Sequence, residues 1–131
     1  MSSRDVNTPG AVVGRWNSTR GLPATDASAL SRLPQLLREI YALADGGYDT
    51  DGFGFHSLAD HRCEQLQLPG EEGTRSVLIF ADFMMAHEFG LDDVSGGVVT
   101  SCMTPFVVAT SIDAFFELYL SEDSSLWVEK L

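Results

Sequence analysis

Apolar positions are densest between Ser76 and Asp93, in the stretch SVLIFADFMMAHEFGLDD. Val77-Leu78-Ile79-Phe80-Ala81 is a continuous run of β-branched, aliphatic and aromatic side chains closed by Asp82, and it predicts a strand buried on both faces. From His87 to Asp92 the rhythm becomes alternating, with Phe89 and Leu91 on one side and Glu88 and Asp92 on the other. That period of two predicts a half-buried outer strand after a bend. Met84 and Met85, beside Phe83, read as core filler at the bend.

Upstream, Leu36, Leu37, Ile40, Tyr41, Leu43 and Ala44 fall on one broad helical face, opposed or flanked by Gln35, Arg38, Glu39 and Asp45. Pro34 suits the first turn of this helix and Gly46-Gly47 its stop. Residues 1–25 have weak periodicity and carry Pro9, Gly10, Gly14, Gly21 and Pro23, so they read as an irregular arm pinned through Ala11, Val12, Val13 and Trp16. Asp26 is placed to cap a short turn through Leu30. Gly52–Leu58 predicts a short strand, Asp60–Leu68 a helical turn or a loop, and Pro69–Gly73 an acidic connection. Past a hairpin-like Gly96-Gly97 turn, strands are expected at Val98–Cys102 and Phe106–Ala109. Thr110 and Asp113 have capping-box spacing, and Ile112, Phe115, Phe116, Tyr119 and Leu120 then form a full apolar stripe of a closing helix. The order predicts an α+β fold: a central, largely antiparallel sheet with helices packed against it, forming a single domain over 26–131 behind the 1–25 arm.

The chain has 131 residues, enough to bury a core without metal or disulfide staples. No apolar run approaches the ~20 residues of a membrane span, and MSSRDVNTPG lacks a secretion-signal segment, so the expected location is cytoplasmic. The net charge of −11 is unevenly placed: residues 1–44 carry five arginines against three acids, and residues 45–131 three basic groups against 16 acids. A field of that sign repels nucleic acid and anionic membrane and attracts basic proteins or cations. Solubility alone also accounts for such a charge.

Candidate chemistry is sparse. Asp49-Thr50-Asp51-Gly52 suggests a calcium loop, but setting Gly52 at the required glycine places Gly47 first and Leu58 twelfth, where carboxylates are needed. Gly52-Phe53-Gly54 lacks the third glycine of a dinucleotide fingerprint. His56, His61 and Cys63 are not arranged in the repeated pairs of a zinc site, and Cys63 and Cys102 read as small buried hydrophobes. No nucleophile elbow or basic aromatic patch is present. No catalytic residue, metal site or cofactor is therefore expected.

The order of three segments resembles the SUKH superfamily, which includes the yeast cell-wall-assembly and killer-toxin-resistance regulators. Leu33-Pro34-Gln35-Leu36-Leu37-Arg38-Glu39-Ile40-Tyr41, ending in Asp45-Gly46-Gly47, is similar to its "LP…Y/F…NGG" helix. Leu78-Ile79-Phe80-Ala81-Asp82-Phe83 is similar to its strand leading into "FADY". Val107–Leu120 resembles its closing "VA-S-F-FLE-YL" helix. The likeness runs from Leu33 to Asp123; Asp45 stands where the family has Asn, and residues 1–25 find no counterpart. It implies an α+β fold and, for many bacterial members, an immunity role: binding and neutralising toxins, often nucleases. An acidic, non-catalytic domain suits a basic toxin partner. Its contact surface is expected among the acidic turns, at Asp49, Asp51, Glu71, Glu72, Asp92 and Asp93. A general scaffold domain with no toxin partner is the alternative. A hydrolase or metal enzyme using His56, His61, Cys63 and Asp82 is a remote third reading.

Overall fold

The computed structural model describes residues 8–16, 19, 21–84, 87–101 and 104–121. It contains helices α1 (Thr8–Gly14), α2 (Ala27–Leu30), α3 (Gln35–Tyr41) and α4 (Ile112–Leu120). The strands are β1 (Gly47–Tyr48), β2 (Phe53–Phe55), β3 (Arg62–Leu66), β4 (Arg75–Phe83), β5 (His87–Asp92), β6 (Val98–Ser101) and β7 (Phe106–Ala109). All strand pairs are antiparallel, in the order β1-β2-β4-β5-β6-β7, with β3 also on β4. This is the α+β architecture that the sequence predicts.

β4 is the spine because its apolar run feeds both faces. Phe80 and Ala81 join Phe53, Phe55, Phe89 and the helices in the main core, while Val77 and Ile79 pack with Leu68 and Val99 in a smaller cluster on the other face. Phe115 of α4 anchors the main core, its ring centroid 5.1 Å from Phe89, 5.6 Å from Phe80 and 6.2 Å from Phe53. Offset and edge-on rings at these separations add specificity to what is mainly burial of apolar area.

Several local expectations are corrected. Residues 8–14, expected in an irregular arm, are helical: α1 packs on α3 and α4, and Val12, Val13 and Trp16 are buried. Trp16 stacks on Phe55 at 5.0 Å and its Nε1 donates to the Tyr119 hydroxyl at 3.3 Å, so tertiary contacts hold a helix too short to stand alone. Arg62–Leu66, expected as a turn or loop, is strand β3; it has a mostly polar face and is fixed by backbone pairing to β4. β5 is interior, not outer, with Phe89 to Asp92 all buried. At Gly90 a Cβ would lie 2.8 Å from the Val77 side chain, so the missing side chain lets Val77 and Ile79 close over β5. The N-cap of α4 is Ser111, whose hydroxyl accepts from Ala114 N–H at 3.0 Å, rather than Thr110. Met84 is 68% exposed and Cys63 is exposed, so neither fills the core; Met85 and Cys102 lie outside the described residues.

Other expectations match the fold. Asp26 Oδ1 accepts from Ala29 N–H at 3.1 Å and caps α2. The Ser95–Gly97 turn links β5 to β6, and α4 buries Ile112, Phe115, Phe116 and Tyr119 as one stripe. No helix among the described residues is long and apolar enough to cross a membrane.

Candidate functional site

The site follows from an interruption in the sheet. β2 pairs with Ala81–Phe83 and β3 with Arg75–Ile79, so the two strands lie end to end along the same side of β4. Opposite the gap, the β4 register shifts between Ile79 and Ala81, and the Phe80 carbonyl accepts from His56 N–H at 2.8 Å. The chain crosses the gap in a 3₁₀ turn at Leu58–Asp60. Asp45 Oδ1 accepts from Leu58 N–H at 2.8 Å, and the Tyr41 hydroxyl contacts the His56 carbonyl at 2.7 Å and His61 Nε2. Burial, with a contribution from Asp45, raises the Tyr41 pKa well above the usual phenol value. Burial and the nearby His56 lower that of His61, against the pull of Asp45 and Asp60.

Beside this gap opens a groove of about 770 Å³. Its walls come from the backbone of Gly46, Gly47 and Gly54, from Phe55, and from the side chains of Tyr48 and Met84. Four aspartates also line it, Asp45, Asp49, Asp60 and Asp82, and no arginine or lysine among the described residues does. Gly54 faces Asp82 across β2 and β4; a Cβ there would come within 3.2 Å of Asp82 Oδ1. The missing Cβ is what gives that carboxylate its seat. Gly52, at φ +106, turns the chain where the Met84 side chain lies over it, and a Cβ would be 2.6 Å from Met84 Cγ. Met84 is itself in the left-handed region at φ 54, an uncommon conformation for a residue with a side chain.

His56 Nε2 is 2.6 Å from Asp82 Oδ2, and His56 Nδ1 is buried with no hydrogen-bonding partner. A buried Nδ1 without an acceptor favours the tautomer with the proton on Nε2, donated to Asp82. In this arrangement Nε2 is taken up by Asp82, and the Nδ1 lone pair is buried and unpartnered. Cys63 sits exposed on β3, and no three His, Cys, Asp or Glu side chains among the described residues converge in a metal-binding group.

The six expected contact residues divide between the two ends of β4. Asp49 and Asp51 are at the groove end. Glu71, Glu72, Asp92 and Asp93 are at the other, ~20 Å away for the six residue steps from Phe83 to Val77. Asp51, Glu72 and Asp93 are exposed. Asp49 works within the fold: Oδ1 accepts from Asp51 and Phe53 N–H at 2.9 and 3.2 Å, and Oδ2 accepts from the Tyr119 hydroxyl. Glu71 is paired with Arg75. Asp92 is corrected outright: it is 3% exposed, bonded to Arg75 at 2.9 Å and to Val94 N–H at 2.9 Å, and is not available to a partner. The reading of the sequence left Asp60 and Tyr48 out of any site and gave Asp82 only to the remote enzymatic alternative. For Tyr48 the signal is the run Asp45–Gly54, where glycines and aspartates interleave around one tyrosine; Asp60 and Asp82 carry none. No protein-family model matches this chain, and no curated protein matches it.

Proposed function

We propose that this chain is a non-catalytic binding domain: an immunity protein of the kind implied by the SUKH resemblance, neutralising a basic, nuclease-type toxin stoichiometrically. The observation that carries the reading is the groove, which collects four aspartates and no arginine or lysine among the described residues. A partner rich in Lys and Arg would be drawn to that field and held with complementary charge, whereas nucleic acid would be repelled. The scaffold alternative shares the same surface and differs only in the partner.

The test is affinity capture of the tagged protein from its host lysate at low salt, with the recovered partner then assayed alone and with the protein at equimolar ratio. The immunity reading expects a basic domain that elutes as salt rises and whose toxic or nucleolytic activity disappears at one equivalent. A partner without toxic activity would move the assignment to the scaffold alternative. A catalytic turnover by the protein itself would overturn both.

A further inference from the structure

Resting on that reading, we propose that the groove is an arginine pocket: it receives one guanidinium side chain from a loop of the basic partner, stacked on Tyr48 and paired with Asp82 and Asp60. Shape supports this independently of charge. Gly54 presents bare backbone where a side chain would crowd the Asp82 carboxylate, and the space beside it is lined by Phe55, Tyr48 and Met84. A volume of about 770 Å³ accommodates a long side chain together with the loop backbone that delivers it.

Tyr48 is 60% exposed, a large apolar ring left on the surface beside carboxylates. Its backbone pairs with Gly54 across β1 and β2, which requires no aromatic side chain at that position. An aromatic face open to solvent next to negative charge suits a planar cation. A guanidinium is flat, weakly hydrated and able to pair with carboxylates through several N–H groups; an ammonium is compact, strongly hydrated and gains less from a flat slot. Asp82 is held in place over Gly54 by His56 Nε2, and Asp60 by the Ser57 hydroxyl at 3.1 Å, so both acceptors are positioned before a ligand arrives.

The experiment is a two-dimensional ¹⁵N NMR titration of the full chain with L-argininamide, and with L-lysinamide as the probe of equal charge. The pocket expects saturable shifts centred on the amides of Gly47, Tyr48 and Gly54, with argininamide the tighter ligand. Tyr48→Ala should weaken argininamide about threefold while barely moving lysinamide. Asp82→Asn should weaken both by about tenfold. Asp60→Asn serves as a second carboxylate variant should Asp82→Asn unfold, as judged by circular dichroism. Equal affinity for the two probes, shifts spread over Glu72 and Asp93 as well, or no response to Tyr48→Ala would overturn the pocket. Displacement of argininamide by a short oligonucleotide would overturn it too. The two readings fail separately: a captured toxin whose binding ignores Tyr48→Ala removes the pocket and leaves the immunity role. A specific argininamide site without any toxin does the reverse.

Discussion

Asp92 keeps its charge although almost none of it meets solvent, because its surroundings outweigh the cost of burial. Burial pushes its pKa up, but the N–H groups of Val94 and Ser95, the Ser95 hydroxyl and Arg75 together hold the carboxyl below its ordinary value of 3.8. A folded-state value below the unfolded one contributes stability at every pH above about 3.8, and that contribution drains away as pH falls towards the lower folded value. Asp92→Asn should therefore flatten the acid limb of the stability curve below pH 4. At neutral pH it should cost about 1–3 kcal/mol, since Arg75 loses its buried acceptor. Urea unfolding at pH 3 and pH 7 reads both effects, and an unchanged acid limb would remove Asp92 as its source. His61 acts with the opposite chemistry and the same sign of pH dependence. Burial, and next the proximity of His56, lower its pKa from 6.5, so below that pH the unfolded chain takes up a proton that the folded one resists. Stability should decline as pH drops from 6.5 towards 5, and His61→Gln should remove that decline. Thermal melts across this range test it.

Among the elements, β4 and β5 carry the plainest lesson about packing. β5 looks like an edge strand from its alternating sequence, but it is interior because β4 and β6 pair with both its edges, and Gly90 leaves room for Val77 and Ile79 on its second face. Gly90→Ala would place a Cβ 2.8 Å from Val77 Cβ and Cγ2. The expected cost is about 1–3 kcal/mol from overpacking, whereas Gly10→Ala, with no atom within 4 Å, should be nearly neutral. Chemical denaturation of the two variants gives the comparison. The same strands mark how far the sequence could be read. α3 and α4 were legible because their apolar side chains repeat at helical period, and β4 and β7 because each is a short unbroken apolar run. α1 was not, since Val12, Val13 and Trp16 make a stripe barely longer than one turn, and the contacts that hold it come from Phe55 and Tyr119, far along the chain. β3 was missed for a related reason: Arg62 to Leu66 form a strand through backbone bonds to β4, which leave no mark on side-chain pattern. The groove was least legible of all. Its parts come from Thr19 and Gly21, from Asp45–Asp60 and from Asp82 and Met84, and backbone pairing between these distant stretches brings them together.

Over the whole molecule, the acidic charge is not one surface. The groove aspartates and the expected contact residues divide along β4 into a groove end, with Asp45, Asp49, Asp51, Asp60 and Asp82, and a far end, with Glu71, Glu72, Asp92 and Asp93. At the far end, Arg75 is bonded to both Glu71 and Asp92, which locally offsets that charge. The ends lie ~20 Å apart along the strand, about two Debye lengths at physiological salt, so a docking partner senses mainly the end it approaches. This separates two pairs of exposed residues for a charge-reversal comparison. Asp51→Lys with Asp60→Lys alters the groove end, and Glu72→Lys with Asp93→Lys alters the far end by the same net charge. For a partner recovered by capture, the groove pair should slow association by about tenfold at physiological salt and flatten its salt dependence, while the far pair should change the rate there less than about twofold. Stopped-flow association at several ionic strengths distinguishes them. A larger loss from the far pair would relocate the interface to the β3–β4 turn. Equal losses would mean that net charge alone steers the encounter, and the groove would then be left to act, if at all, only on the dissociation rate.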